Sequence, residues 1–250
     1  MSQSDLLKGK TALITGSNRG IGKTLVEIFA SNGASIIACA RKDSEDFAAF
    51  RNEVSETYKV QVKSMFFDLT NEQEIKEAFK TLFLEKPTID ILINNAGVAH
   101  GGLLHMTSID KMREVFEINF FSQILITQYV TKLMFKQKRG SVVNISSVAG
   151  IDAYSGYIAY GSSKAALIYA TKTLAKEFAP HNVRVNAIAP GLTETDMAGQ
   201  MEEKAKNLMV SDSAMQRLAT PFEVANAALF LASDLSSFIN GQVLRVDGGM

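Results

Sequence analysis

With one cysteine and three scattered histidines in 250 residues, the chain has no ligand set for a catalytic metal and no means of forming an intrachain disulfide. A single thiol suits a reducing compartment, and Cys39, within the apolar run Ser35–Ala40, reads as a small buried hydrophobe. An excess of either charge is also missing. Twenty-six basic residues balance 26 acidic ones, which argues against nucleic acid or a membrane surface held by bulk electrostatics. No apolar stretch approaches the ~20 residues of a membrane helix, and residues 1–10 lack the apolar core of a signal peptide, so a soluble, cytoplasmic protein is expected. Repeats and low-complexity linkers are absent too, so residues 1–250 are expected to form one domain.

What is present is a regular alternation. Short apolar runs read as strands near 11–15, 35–40, 61–67, 89–93, 141–146, 182–188 and 242–246. Between them lie helical patterns at 20–32, 43–57, 71–85, 111–136, 157–179 and 221–233, and a polar, methionine-rich stretch at 195–216. Strand–helix alternation predicts an α/β fold, a doubly wound parallel sheet of Rossmann type with helices on both faces and ligands at the carboxyl ends of the strands. The 46% hydrophobic content is ample for its core. The 111–136 helix is apolar nearly all round, which predicts burial on more than one side, in the core or against a second subunit.

Two segments carry chemistry. The first strand runs into Gly16-Ser17-Asn18-Arg19-Gly20-Ile21-Gly22 and then a helix. Glycines there allow a tight turn and close ligand approach, and free amides at the helix start attract phosphate. The second is Tyr160 and Lys164, at i and i+4 on one helical face, downstream of Ser147. A phenol titrates near pH ~10, so it serves as an acid or base at neutrality only where its surroundings tune it; Lys164 is placed to supply the positive charge. Tyr154 and Tyr157 have no lysine four residues on and are expected to line the substrate pocket. His100 and His105 are candidates for substrate contact, with solvated loop histidines the alternative.

Taken together, these segments resemble the short-chain dehydrogenase/reductase family over residues 8 to 250. Asn94-Asn95-Ala96-Gly97, Asn119 and Pro190-Gly191 fall in the order that family requires. The resemblance implies hydride transfer between a nicotinamide and a carbonyl or alcohol carbon. Tyr160 would be the acid or base and Ser147 would bind the substrate oxygen, with Ser146 the rival serine. Lys164 would lower the tyrosine's pKa and hold the ribose, and Asn119 would support a proton-relaying water. It further implies that the glycine loop, Asp68, Leu69, Asn95, Ala96, Gly97, Pro190, Gly191, Thr193 and Thr195 hold the cofactor, Asp68 having helix capping as its alternative role. Where NAD-preferring members carry an acid after the second strand, this chain has Arg41-Lys42; Arg41 and Arg19 favour NADP(H), and Asp43 lies two residues too late.

Within the family the pattern looks most like the beta-ketoacyl-(acyl carrier protein) reductases of fatty acid biosynthesis. The alternatives are a reductase of another small carbonyl, such as a sugar, ketone or quinone, and a non-catalytic NADP-binding regulator. The resemblance implies an acyl-thioester substrate with acyl carrier protein as partner. Lys136, Lys138 and Arg139 are candidates for the basic residues beside the entrance, while His181 stands where those enzymes tend to have arginine. A homodimer or homotetramer is implied, and a mobile lid over substrate is expected at 195–217, its methionines adapting to an acyl chain.

Overall fold

The computed structural model describes residues 5–199 and 203–250. Seven parallel strands form one sheet in the order β3-β2-β1-β4-β5-β6-β7. They are β1 (Thr11–Thr15), β2 (Ser35–Ala40), β3 (Val62–Phe66), β4 (Ile91–Asn94), β5 (Gly140–Ile145), β6 (Val183–Pro190) and β7 (Val243–Val246). The near-continuous apolar runs follow from this arrangement, because a parallel sheet with both faces covered buries successive side chains on either side. One face packs under α1 (Gly20–Ser31), α2 (Glu45–Tyr58) and α9 (Pro221–Ala232), burying Ile14, Val26, Phe29 and Leu229. The other packs under α3 (Glu72–Leu84), α5 (Ser122–Gln137) and α6 (Ile158–Phe178), burying Leu13, Phe79, Val130 and Val185. Strand order reverses direction between β1 and β4, and that switch opens a crevice at their carboxyl ends.

Most expected elements appear within two residues of their place. The exception is the 111–136 helix, which is two helices, α4 (Ile109–Phe116) and α5, joined by a widened π turn at Glu117–Phe121. The backbone opens there because side chains take over its hydrogen bonding. The Ile118 carbonyl accepts from the Ser122 hydroxyl at 2.9 Å and from the Gln123 amide at 3.1 Å. Such turns recur at functional sites, and Asn119 occupies this one. Val115, Ile126, Val130 and Met134 are buried, whereas Phe121 is 54% exposed, so the single chain covers only part of this apolar surface. Among the described residues no helix is long and apolar enough to cross a membrane, and no cluster of three or more His, Cys, Asp or Glu side chains could hold a metal.

Phe79 shows how tightly α3 seats. It is fully buried, stacked on Tyr129 of α5 with ring centroids 4.9 Å apart. Phe79→Ala is expected to lower unfolding stability by about 3–5 kcal/mol through lost burial and the cavity left behind, read from urea denaturation; a loss under about 1 kcal/mol would show that this helix contributes little to the global fold.

Candidate active site

A cavity of about 370 Å³ lies along the carboxyl ends of the strands, within the size range of small-molecule sites. Its walls are the turns that leave β1, β2, β3, β4, β5 and β6. Arg41 and Asp68 follow β2 and β3, whereas Ser147 and Tyr160 stand beyond β5, three strand positions from β2. At ~4.8 Å per strand the two ends of the site are roughly 14 Å apart.

The glycine loop forms the floor. Gly16 and Gly20 have φ of +68° and +50°, conformations that side chains disfavour, and a Cβ on Gly22 would lie 1.9 Å from the Gly16 carbonyl oxygen. The chain therefore needs glycine at 22 simply to fold back on itself. Ser44, Asn71, Ser108 and Thr220 cap α2, α3, α4 and α9 with their side chains, yet α1 has no side-chain cap and no acid in its first turn. Its first amides are left for an anion, which is what a pyrophosphate requires. The loop is pinned to the turn after β4 by Thr15, whose hydroxyl accepts from the amides of Asn95 and Ala96, both at 3.0 Å. The Asn95 amide returns the tie, donating to the carbonyls of Thr15 and Gly16. Sequence reasoning passed over Thr15; its signal was a hydroxyl at the last strand position before the first glycine.

Asn18, Arg19, Gly20, Ile21, Arg41, Asp68, Leu69, Ala96, Gly97, Pro190, Gly191, Thr193 and Thr195 all line the cavity, as does Asn95. Ser17 does not. Its hydroxyl turns inward to the Ile14 carbonyl at 2.7 Å and its amide is given to the Cys39 carbonyl, so it braces the loop from behind. Arg41 is exposed and makes no hydrogen bond or ion pair with any described residue, while Asp43 is held by Arg51 at 3.0 Å and Arg19 lies 3.7 Å from Asp196. Asp68 accepts from the Thr70 amide and hydroxyl, which hold its carboxyl below the usual range; capping α3 falls to Asn71. Cys39 lies in the wall as a buried thiol whose pKa burial pushes up.

At the other end Ser147, Tyr160 and Lys164 share the wall. Ser146 also lines the cavity, but its hydroxyl is committed to the Lys164 carbonyl at 3.0 Å. Ser147 instead accepts from the Ala149 amide at 3.1 Å and stands near enough to the Tyr160 phenol to lower its pKa. Lys164, 4% exposed, donates to the Ile145 carbonyl at 2.9 Å, with its ammonium 5.9 Å from the Tyr160 ring centroid. Burial depresses its pKa to about 8. For Tyr160 the net direction is upward, opposite to that expected from the sequence: burial raises the phenol, and the Ser147 hydroxyl only partly offsets this. The site as it stands therefore keeps Tyr160 protonated at neutrality, poised to donate. Asn119 is not in the wall. It is fully buried behind it, accepting from the Val98 amide at 2.8 Å and donating to the Val98 carbonyl and the Ser163 hydroxyl. A Cβ on Gly97 would lie 3.1 Å from the Asn119 oxygen and 3.3 Å from the Lys164 nitrogen, so glycine here keeps the space between them open.

Tyr154 and Tyr157 line the pocket as expected, meeting edge-on in series with Tyr160 at 6.4 and 6.0 Å. His100 and His105 do not reach it. Lys136, Lys138 and Arg139 end α5 just before β5, and His181 stacks on Phe135 just before β6. They lie at the amino ends of the strands, opposite the cavity, so this chain does not place them at its own entrance. The expected lid falls partly on residues 200–202, outside the described residues; on either side are the short helix α7 (Asp196–Gly199) and α8 (Glu203–Asp212), from which Met209 lines the cavity.

A family model described as enoyl-(acyl carrier protein) reductase matches residues 16–250. The chain is 41% identical over 244 residues to the 3-oxoacyl-[acyl-carrier-protein] reductase FabG of Aquifex aeolicus, covering 98% of both. Among solved structures, one described as a gluconate dehydrogenase from Agrobacterium tumefaciens superposes with a TM-score of 0.92 at 31% identity, over 99% of this chain and 98% of that one. The 3-oxoacyl-[acyl-carrier protein] reductase of Brucella melitensis superposes at 0.90 and 31% identity, over 100% and 94%.

The depressed Lys164 pKa has a consequence for stability. The unfolded chain holds this proton to about 10.5, the folded chain releases it near 8, so the cost of burying the charge is full below about 8 and relieved as pH rises to about 10.5. Wild type should therefore gain stability relative to Lys164→Met between pH 8 and 10.5, measured by urea unfolding at several pH values; a difference that stays flat with pH would refute the burial of a charged lysine.

Proposed function

The chain belongs to the short-chain dehydrogenase/reductase family and is an oxidoreductase using a nicotinamide cofactor; from this and the character of its cavity, we propose that it reduces 3-oxoacyl thioesters with NADPH. The observation that carries the substrate class is the wall around Tyr160. Val98, Ala99, Ile118, Val148, Leu192 and Met209 make it largely apolar, and among the described residues Lys164 is the only basic side chain lining it beyond β4, already held by the Ile145 carbonyl. A gluconate-like acid needs a cation for its carboxylate and donors for its hydroxyls. An oxoacyl chain needs one donor at its ketone and an apolar surface elsewhere. The acyl carrier rests on what the relatives are named.

The residues divide the work. The open amides of α1 suit a pyrophosphate, and Arg41, joined by Arg19, suits a 2′-phosphate; of the acids near Arg41, Asp43 is engaged by Arg51 and Asp68 by the Thr70 amide and hydroxyl. Nicotinamide supplies the hydride when bound. Ser147 holds the ketone oxygen, Tyr160 delivers a proton to it, and Lys164 lies close enough to steady the phenolate left behind. Asn119 fixes the Val98 backbone beside them. The methionine-bearing segment 195–217 is the lid of this reading. Self-association belongs to it as well, because Phe121 and Tyr169 on one side, and Phe230, Leu235 and Phe238 near the β7 edge, are exposed apolar surface at two separate places, as a tetramer requires.

NADPH oxidation with acetoacetyl thioester is expected to exceed that with 5-ketogluconate, simple ketones and quinones; preference for the keto acid would overturn the substrate assignment. Tyr160→Phe should lower turnover ~10²-fold or more with cofactor binding nearly unchanged, and retention of most activity would remove Tyr160 from the chemistry. Arg41→Ala should cost roughly tenfold in kcat/KM for NADPH and little for NADH at fixed ionic strength. Equal losses with both cofactors would refute the phosphate contact.

A further inference from the structure

Arg245, on the edge strand β7, is not among the residues that line the cavity, although its charge reaches Tyr154, and it joins the two walls that must face each other across the bound reactants. Its Nε donates to Asp247 Oδ2 at 2.6 Å and its Nη2 lies 2.9 Å from Asp152 Oδ2 while donating to the Met250 carbonyl at 2.8 Å. The Asp247 carboxylate is 8% exposed and the Arg245 side chain one-third exposed, so this is a half-sheltered cluster and not a pair waving in solvent.

Each carboxylate leads to a different wall. Asp152 sits two residues before Tyr154, in the loop that carries Tyr154 and Tyr157 up to Tyr160. Asp247 backs the turn after β6: the Gly191 amide donates to the neighbouring Val246 carbonyl at 2.9 Å, and a Cβ on Gly191 would fall 2.9 Å from the Asp247 Cα. The same tail holds the end of the lid segment, since Met215 N and Ser213 Oγ both donate to the Gly248 carbonyl. A planar guanidinium engages two carboxylates at once in fixed directions, which an ammonium on a flexible stem does not.

We propose that Arg245 is a positioning residue that sets the separation between the substrate wall, through Asp152, and the cofactor turn, through Asp247. Substrate affinity then depends on one arm and cofactor affinity on the other. The proposal rests on the cavity being the reductase site described above.

The test is a double-mutant cycle with Asp152→Asn and Arg245→Ala, reading kcat, KM for acetoacetyl thioester, NADPH affinity by fluorescence titration, and thermal midpoint. Asp152→Asn should raise the thioester KM about fivefold, near the most a partly exposed ion pair supports, and leave kcat and NADPH affinity within about twofold. Arg245→Ala should raise the KM similarly and also weaken NADPH, Asp152→Asn should add nothing in its background, and Arg245→Lys should recover only part of either effect. Additive effects of the two substitutions on KM, or a lowered midpoint with KM and NADPH affinity unchanged, would overturn the clamp. A wild type inert toward the thioester would count against the substrate reading instead; NADPH titration of Arg245→Ala still decides the cofactor arm, where unchanged affinity overturns the clamp.

Discussion

Everything in the site depends on how closely the chain passes itself between Gly16 and Gly22. With a methyl at 22 placed 1.9 Å from the Gly16 carbonyl, no rotamer adjustment relieves the clash, because both partners are backbone. That approach lets α1 start immediately beyond β1 with its first amides open to the cavity. It also lets Asn95 reach across and close the gap between the glycine loop and the turn after β4. The crevice at the switch in strand order is thus a built surface, held by one hydroxyl, one side-chain amide and two glycines.

The chemistry at the far end depends on burial more than on paired charge. Lys164 and Tyr160 both shift toward their neutral forms, the lysine downward and the phenol upward, because each is withdrawn from water. A protonated phenol beside a hydroxyl suits proton donation to a ketone. The lysine is still mostly a cation at neutrality, near enough to stabilise the charge that appears once the proton has left. Sequence spacing suggested that Lys164 would tune Tyr160 directly; instead the ammonium is held on the Ile145 carbonyl, and the group that lowers the phenol's pKa is the Ser147 hydroxyl.

The fold was legible because central parallel strands buried on both faces write themselves as apolar runs, while the edge strands β3 and β7, only partly buried and carrying Lys63, Ser64 and Arg245, keep enough apolar residues to be read from the strand–helix alternation. The site motifs were legible because they are local in sequence and end on strand termini. Less readable were features decided by where a side chain turns. Ser17 sits inside the glycine motif but faces the core, and Asn119 stands behind the wall. Lys136, Lys138 and Arg139 looked adjacent to the site because sequence gives no sense of which end of β5 they occupy. Thr15 and the Arg245–Asp152 link escaped notice for a related reason: Asn95 and Asp152 lie eighty or more residues from them in the chain, so neither tie makes a local pattern.

The π turn at Glu117–Phe121 carries one residue more than a regular helical turn, and this extra residue sets the phase of everything after it. Deleting a residue there would restore an ideal helix locally while rotating α5 by about 100° against the sheet. Ile126, Val130 and Met134 would then turn out of the core, and Asn119 would leave Val98. The irregular turn works as a phase-setting insertion whose length is fixed by the packing on either side of it, whereas exposed loops carry no such restriction.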